Sequence, residues 1–243
     1  MKARFIKDFP ALYLKEIKGV VIADLHIGIE VEENLKSISK LILTSIEEKI
    51  RFLVENVRMK ILIINGDLKH QIFGFERYLK RRIEKILNLV EDIDVILIKG
   101  NHDGKIEKII ERKENVRIYS KEILLDNFYI THGHSFPSPS SIKARYWIIG
   151  HLHPAIKTLE SIKEVFVISK IKSSFIEEKF GKRKSPLLFI LPAFNKFSGY
   201  FTLNQKVREK RYKSPLWKDE VFDKKKTEVY TLDGKFVGNY LDL

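Results

Sequence analysis

The chain has 243 residues, 44% of them hydrophobic, and a mean hydropathy of −0.18, which is enough to bury a sizeable core. It has no cysteine, excluding disulfides and thiolate metal sites, and 45 Lys/Arg against 32 Asp/Glu give a net charge of +13. No stretch reaches the roughly 18 apolar residues of a membrane span, and Met1 to Asp8 lacks the apolar segment of a signal peptide, so a cytoplasmic protein with no membrane partner is expected.

In chain order, Leu12-Tyr13-Leu14 and Gly19 to Ala23 read as two short strands, the second uniformly apolar and therefore buried on both faces. It runs into Asp24-Leu25-His26. Apolar residues at three- and four-residue spacing predict a long amphipathic helix over about Glu32 to Asn56. Ile61 to Ile64 is the next buried strand and ends in Asn65-Gly66-Asp67-Leu68-Lys69-His70. Phe75 to Val90 returns to helical period, and Ile93 to Ile98 is a third buried strand, delivering Gly100-Asn101-His102-Asp103. A short helix is expected over Lys105 to Arg112, followed by a strand-like Val116 to Tyr119. Ile123–Leu125 and Phe128–Thr131 pair as a hairpin around Asp126-Asn127 and lead to His132-Gly133-His134. After the Ser/Pro loop Phe136 to Ser141, the strand Trp147 to Ile149 delivers Gly150-His151-Leu152-His153-Pro154.

Beyond Pro154 the pattern becomes richer in β-structure, with strands at Val165–Ile168 and Leu187–Ile190 joined by a basic loop, and a terminal hairpin turning at Asp233-Gly234. Asn204 to Lys226 is polar and charged and reads as a surface excursion. Residues 155–227 hold 18 Lys/Arg against 8 Asp/Glu, a surplus suited to a polyanion such as nucleic acid, though a solvated lysine-rich surface would look the same. With no convincing linker, a single domain over 1–243 is expected, its chemistry in 24–153 and its basic part in 155–243.

All seven histidines fall in the five stretches that end apolar strands. Scattered structural histidines would not do this. In an extended Asp-x-His or His-x-His, alternate side chains point the same way and can approach one metal. Asn101 adds a neutral carbonyl oxygen, and carboxylates, amide and imidazoles together suit Mn²⁺, Fe²⁺, Zn²⁺ or similar ions. More candidate ligands are present than one ion uses, which points to a two-metal centre of the kind that activates water for attack on phosphorus. His102 is a candidate proton donor or base.

The ordered set Asp24-x-His26, Gly66-Asp67, Gly100-Asn101-His102-Asp103, His132 and Gly150-His151-x-His153 resembles the calcineurin-like metallophosphoesterase signature and spans about 130 residues. The resemblance implies an α/β fold: a four-layer αββα sandwich of two mixed sheets, with a dinuclear metal site at the sheet edge. It implies that Asp24, His26 and His153 hold one divalent ion, that Asn101, His132 and His151 hold the other, and that Asp67 bridges them. Mn²⁺ is the expected metal, with Fe²⁺, Zn²⁺, Ni²⁺ or Co²⁺ as alternatives. By the same resemblance His102 contacts the phosphate and protonates the leaving group, and Asp103 is placed to orient its ring. His70, three residues after Asp67, is similar to an active-site histidine of the SbcD-type DNA-repair nucleases. Chain size and Leu191 to Asn195 resemble the small archaeal SbcD-related phosphoesterases. His134 lies outside the signature and is read as lining the cleft.

There is no room for the capping domain and ATPase-binding segment of the full-length repair nucleases, and no Gly-x-x-x-x-Gly-Lys-Ser/Thr loop for ATP. The leading expectation is a metal-dependent phosphodiesterase whose partner is nucleic acid or a nucleotide. A phosphomonoesterase or protein phosphatase on the same site is the alternative. A non-catalytic scaffold is disfavoured because the ligand set and His102 are complete.

Overall fold

The computed structural model describes residues 2–32, 36–70, 76–110, 113–205 and 214–243. Its first sheet has six strands in sequential order: β1 (Ala3–Phe5), β2 (Leu12–Leu14), β3 (Gly19–Ile22), β4 (Ile61–Asn65), β5 (Asp94–Ile98) and β6 (Val116–Tyr119). The first three pair antiparallel, whereas β3 to β6 are parallel. Parallel neighbours need a crossover, and the helices α2 (Ser39–Asn56) and α3 (Glu76–Asn88) lie in those connections, after a short α1 (Ile29–Glu32).

The second sheet is mixed. It contains β7 (Glu122–Leu125), β8 (Phe128–Thr131), β9 (Tyr146–Ile149), β10 (Pro154–Lys157), β11 (Ile162–Lys170), β12 (Leu187–Ile190) and β13 (Phe201–Thr202). Strand β14 (Glu228–Thr231) joins β11 and carries β15 (Phe236–Asn239). Strands β8, β9 and β12 are parallel neighbours. The helix α4 (Ser173–Phe180) packs on this sheet.

The period of two divides the buried strands between layers. Val21, Ala23, Ile63, Ile96 and Ile98 point into the space between the sheets, where Phe128, Ile130, Ile148, Phe166, Ile168 and Phe189 meet them. Their neighbours Val20, Ile22, Leu62, Ile64, Val95 and Leu97 face outward against Ile42, Ile46, Ile50 and Leu53 of α2 and Leu79, Ile83 and Ile86 of α3. On the far side, Tyr129, Trp147, Ile149, Val167, Leu188 and Ile190 are covered by Phe175 and Ile176 of α4 together with Leu216 and Val221. Two facing mixed sheets with cover on both outer faces form the expected sandwich. Its fourth layer is thin, built from one eight-residue helix and irregular chain.

Several local expectations are corrected. The helix foreseen over 32–56 is interrupted: α1 ends at Glu32, a 3-10 turn covers Lys36–Ile38, and α2 starts at Ser39, with 33–35 outside the described residues. The helix foreseen over 105–112 is a single 3-10 turn, Ile106–Lys108, entered through a left-handed Lys105 (φ 58°), with 111–112 outside the described residues. The basic loop before β12 contains α4, which ends at a left-handed Gly181 whose N–H bonds Glu177. Part of the supposed excursion 204–226 is core: Leu216, Val221 and Phe222 are buried. Those residues follow neither period because they close an irregular cover; 206–213 lie outside the described residues.

Candidate metal centre

Both sheets aim strand ends at one edge, where α/β folds place ligands. From the first sheet come Asp24 and His26 after β3, Asp67 and His70 after β4, and His102 after β5; from the second come His132 and His134 after β8, and His151 and His153 after β9. The route to convergence differs from the expected extended alternation. Asp24, His26, Asp67, His151 and His153 all adopt left-handed backbone, with φ between 43° and 68°. Each non-glycine residue held there costs of order 1–3 kcal/mol, and such strain collects at functional sites.

Backbone bonds continue past the strand ends and hold the turns together. Asp24 N–H donates to Gly66, His26 N–H to Asp67 and His70 N–H to Ile27. Close approach requires glycine at two positions. A Cβ on Gly100 would stand 2.1 Å from Asp67 Oδ1, and one on Gly66, itself at φ +82°, would stand 2.1 Å from His132 Nδ1.

Three sets of ligand atoms converge, the members of each within 4.8 Å of one another: Asp24, His26 and His153; Asp67, His132 and His151; and His26, His70 and His102. Asp24 Oδ2 accepts the His151 backbone N–H at 2.9 Å, leaving Oδ1 3.2 Å from His153 Nε2. Asp67 Oδ1 accepts the His102 N–H at 2.9 Å, leaving Oδ2 3.1 Å from His132 Nε2 and 3.6 Å from His26 Nε2. His132 Nδ1–H donates to the Asn65 carbonyl at 3.0 Å, which turns its Nε2 inward. His153 is held in the same way by the Gly199 carbonyl at 3.2 Å and by Ser198 Oγ at 3.3 Å. Bonds of this kind fix the tautomer and direction of metal-binding imidazoles.

These residues fit divalent metal. Asp24 Oδ1, His26 Nε2 and His132 Nε2 are buried without a well-formed hydrogen bond among the described residues, and each faces only an opposite carboxylate or imidazole of the same cluster. Electrostatics agree. Burial works to raise Asp24, but His153 and His132 outweigh it and hold the carboxyl below its ordinary range. Asp67 is likewise buried and held far down, chiefly by His132 and His26. Burial pushes His26 well down, and burial with His132 takes His151 to about 4. His132 goes the other way: Asp67 and Asp24 overcome its burial and lift it to about 9. The edge therefore concentrates two carboxylates that stay ionised beside His26 and His151, whose rings stay neutral, while His132 is protonated at neutral pH and would release its proton on ligating a cation.

The remaining expected residues are placed as follows. His70 Nδ1 lies 3.0 Å from His26 Nδ1, and its ring stacks on His102 at 4.9 Å between centroids. Asp103 does not meet the expectation that it orients the His102 ring. Its buried carboxylate accepts the N–H groups of Leu68, Lys69 and Gly100, while His102 Nδ1 has no hydrogen-bond partner among the described residues. Burial, and then Asp67, raise the Asp103 carboxyl. It ties the turn after β4 to the turn after β5. Asn101 is exposed between Gly100 and His102 and makes no side-chain hydrogen bond among the described residues. His134 sits beside the second set, 5.3 Å from His132 and 6.1 Å from His151 by ring centroids.

Sequence reasoning missed the supports. Asn65 links the sheets, its carbonyl holding His132 and its Nδ2 donating to Thr131 O at 3.0 Å. Asn195 Nδ2 donates to Leu25 O at 3.0 Å, Ser198 Oγ donates to Asn195 O, and both stand under the Asp24–His26 turn and His153. A polar residue closing the apolar run of β4 was the available signal for Asn65; Ser198 carried none.

A family model described as calcineurin-like phosphoesterase matches residues 17–231. The chain belongs to the calcineurin-like phosphoesterase family. It is accordingly a metal-dependent phosphoester hydrolase, and its His/Asp sets are the groups able to hold the divalent metal that the family uses. The fold is similar to the crystal structure of Pseudomonas putida nuclease MPE, at a TM-score of 0.60 and 18% identity over 95% of this chain and 97% of that one. A weaker likeness, TM-score 0.36 at 20% identity over 56% of this chain and 78% of the other, is to a protein of unknown function from Aquifex aeolicus. No curated protein matches the chain. No described helix is long and apolar enough to cross a membrane.

Proposed function

We propose that this phosphoesterase is a two-metal phosphodiesterase acting on nucleic acid or nucleotides. The observation that carries the reading is the pair of convergent ligand sets joined at Asp67, whose Oδ2 faces both His26 and His132. Asp24, His26 and His153 would hold one divalent ion and His132 and His151, with Asn101, the other, Asp67 standing between the two sets. The oxygen and imidazole donors, without thiolate, suit Mn²⁺, Fe²⁺, Zn²⁺ or similar ions, and Mn²⁺ is the one proposed. When bound, the ions lower the pKa of water and offset charge that builds on the phosphoryl oxygens. The chain's own residues do the rest. His102 contacts the phosphate and gives a proton to the departing oxygen. His70, on His26 Nδ1, fixes the His26 tautomer and keeps Nε2 inward. Asp103 sets the position of His102 through the backbone. The charge surplus in 155–227 and the likeness to a nuclease support a polyanionic substrate.

The test is Mn²⁺-dependent turnover of bis-p-nitrophenyl phosphate against p-nitrophenyl phosphate, followed by DNA and RNA. Preference for the diester is expected; preference for the monoester would overturn the reading in favour of a phosphatase. His102→Ala is expected to keep its metal content and lose on the order of 10²–10⁴-fold in kcat. A variant at wild-type kcat would remove His102 from the reaction.

A further inference from the structure

We propose that the exposed ring of Phe136 is a stacking platform for an unpaired nucleobase beside the scissile phosphate. The inference rests on the nucleic-acid reading above and names the part of the substrate recognised.

Phe136 is 48% exposed, whereas Phe128, Tyr129, Tyr146 and Trp147 of the adjoining strands are buried. A single exposed apolar residue is ordinary in itself. Its setting is what distinguishes this one. It follows His134 by two residues, and the His134 ring is 5.3 Å from His132 and 6.1 Å from His151. Two residues of chain span at most about 7 Å between Cα atoms, so the loop carrying Phe136 borders the second ligand set. A strand with one phosphate at that set would have its neighbouring nucleotides along this border.

The loop that carries Phe136 is pinned on both sides. Before it, the Gly133 carbonyl accepts from Ser214 Oγ at 2.6 Å. After it, Pro137 is buried, and Ser138 N–H donates to Tyr129 Oη at 3.1 Å. The ring is thus half exposed on a backbone held at both sides, and a rigid aromatic loses little entropy when a base stacks on it.

A cation stands beside it. Lys218 Nζ lies 5.9 Å from the Phe136 centroid, and its partner Glu220 is a loose, exposed 3.9 Å pair. The aromatic face would take a base and the ammonium group beside it a backbone phosphate of the same strand. Single-strand binders combine the same two elements, a positive groove and aromatic platforms. A base paired within a duplex has both faces covered, so the platform selects single strands or frayed ends.

The experiment compares a short single-stranded DNA with an abasic oligonucleotide of equal length, using wild type, Phe136→Ala and Phe136→Trp in Mn²⁺. Wild type is expected to favour the base-bearing strand about tenfold in kcat/KM, mainly through KM. Phe136→Ala is expected to erase that preference and Phe136→Trp to restore it. Equal cleavage of both strands by wild type, or a preference retained in Phe136→Ala, would overturn the platform alone. Failure of wild type to cleave either strand while it turns over a phosphopeptide would overturn the nucleic-acid reading, and the platform with it.

Discussion

The two sheets hold their site residues by different means. On the first, the turns after β3, β4 and β5 are bonded to one another: Asp24 to Gly66, His26 to Asp67, and Asp103 to Leu68, Lys69 and Gly100. On the second, the histidines after β8 and β9 lean on groups outside their own turns. His132 is directed by Asn65, the His151 N–H by Asp24 and the His153 ring by Gly199 and Ser198. The first edge is a self-bonded platform; on the second, His132 and His151 take their positions from that platform and His153 from the chain after β12. The carboxylates Asp24 and Asp67 come from the platform and the imidazoles that face them, His153 and His132, come from the docked side. The two sets that contain a carboxylate are therefore complete only in the packed sandwich.

Removing the group shared by both sides should have the largest effect. Asp67→Ala is expected to lower metal content and cut turnover by more than about 100-fold, because losing a ligand exceeds the 10–100-fold typical of losing a ligand's support. Metal analysis and steady-state kinetics check it. Asp103→Ala attacks the platform alone. Three backbone N–H groups lose their acceptor, so stability should fall by about 2–4 kcal/mol and metal affinity by roughly 10–100-fold. Denaturant unfolding and metal titration read these, and a variant with unchanged stability would show that the turns hold themselves. Ser198→Ala touches only the docked side and leaves the Gly199 carbonyl on His153. A loss below about tenfold in metal affinity, with stability within about 1 kcal/mol, is expected. A larger loss would mean that the second edge depends on its polar supports as strongly as the first.

The inner strands were legible because buried parallel strands are uniformly apolar, as in Val20 to Ala23 and Val95 to Ile98, and because each ends abruptly in polar residues. The short pieces were not. β13 has two residues and α4 eight, too few to establish a period, and Leu216, Val221 and Phe222 are buried as irregular cover rather than as a face of an element. The site was legible as a set of residues, since all seven histidines follow strand ends. Its backbone was not: Asp24, His26, Asp67, His151 and His153 occupy left-handed conformations, which Asp and His tolerate better than other non-glycine residues but adopt only in a minority of cases.

The sequence by itself determined which candidate ligands gather behind apolar runs and which strand ends deliver them. Residue type and position relative to an apolar run are local properties, written in the order of the chain. Only the tertiary structure decided how those residues face one another. Asp103 serves two turns rather than the His102 ring, and Asn65 directs a histidine 67 positions away. The reason is physical: the acceptor that satisfies a buried N–H is whichever group packing brings within 3 Å, and across two sheets that group is distant in sequence.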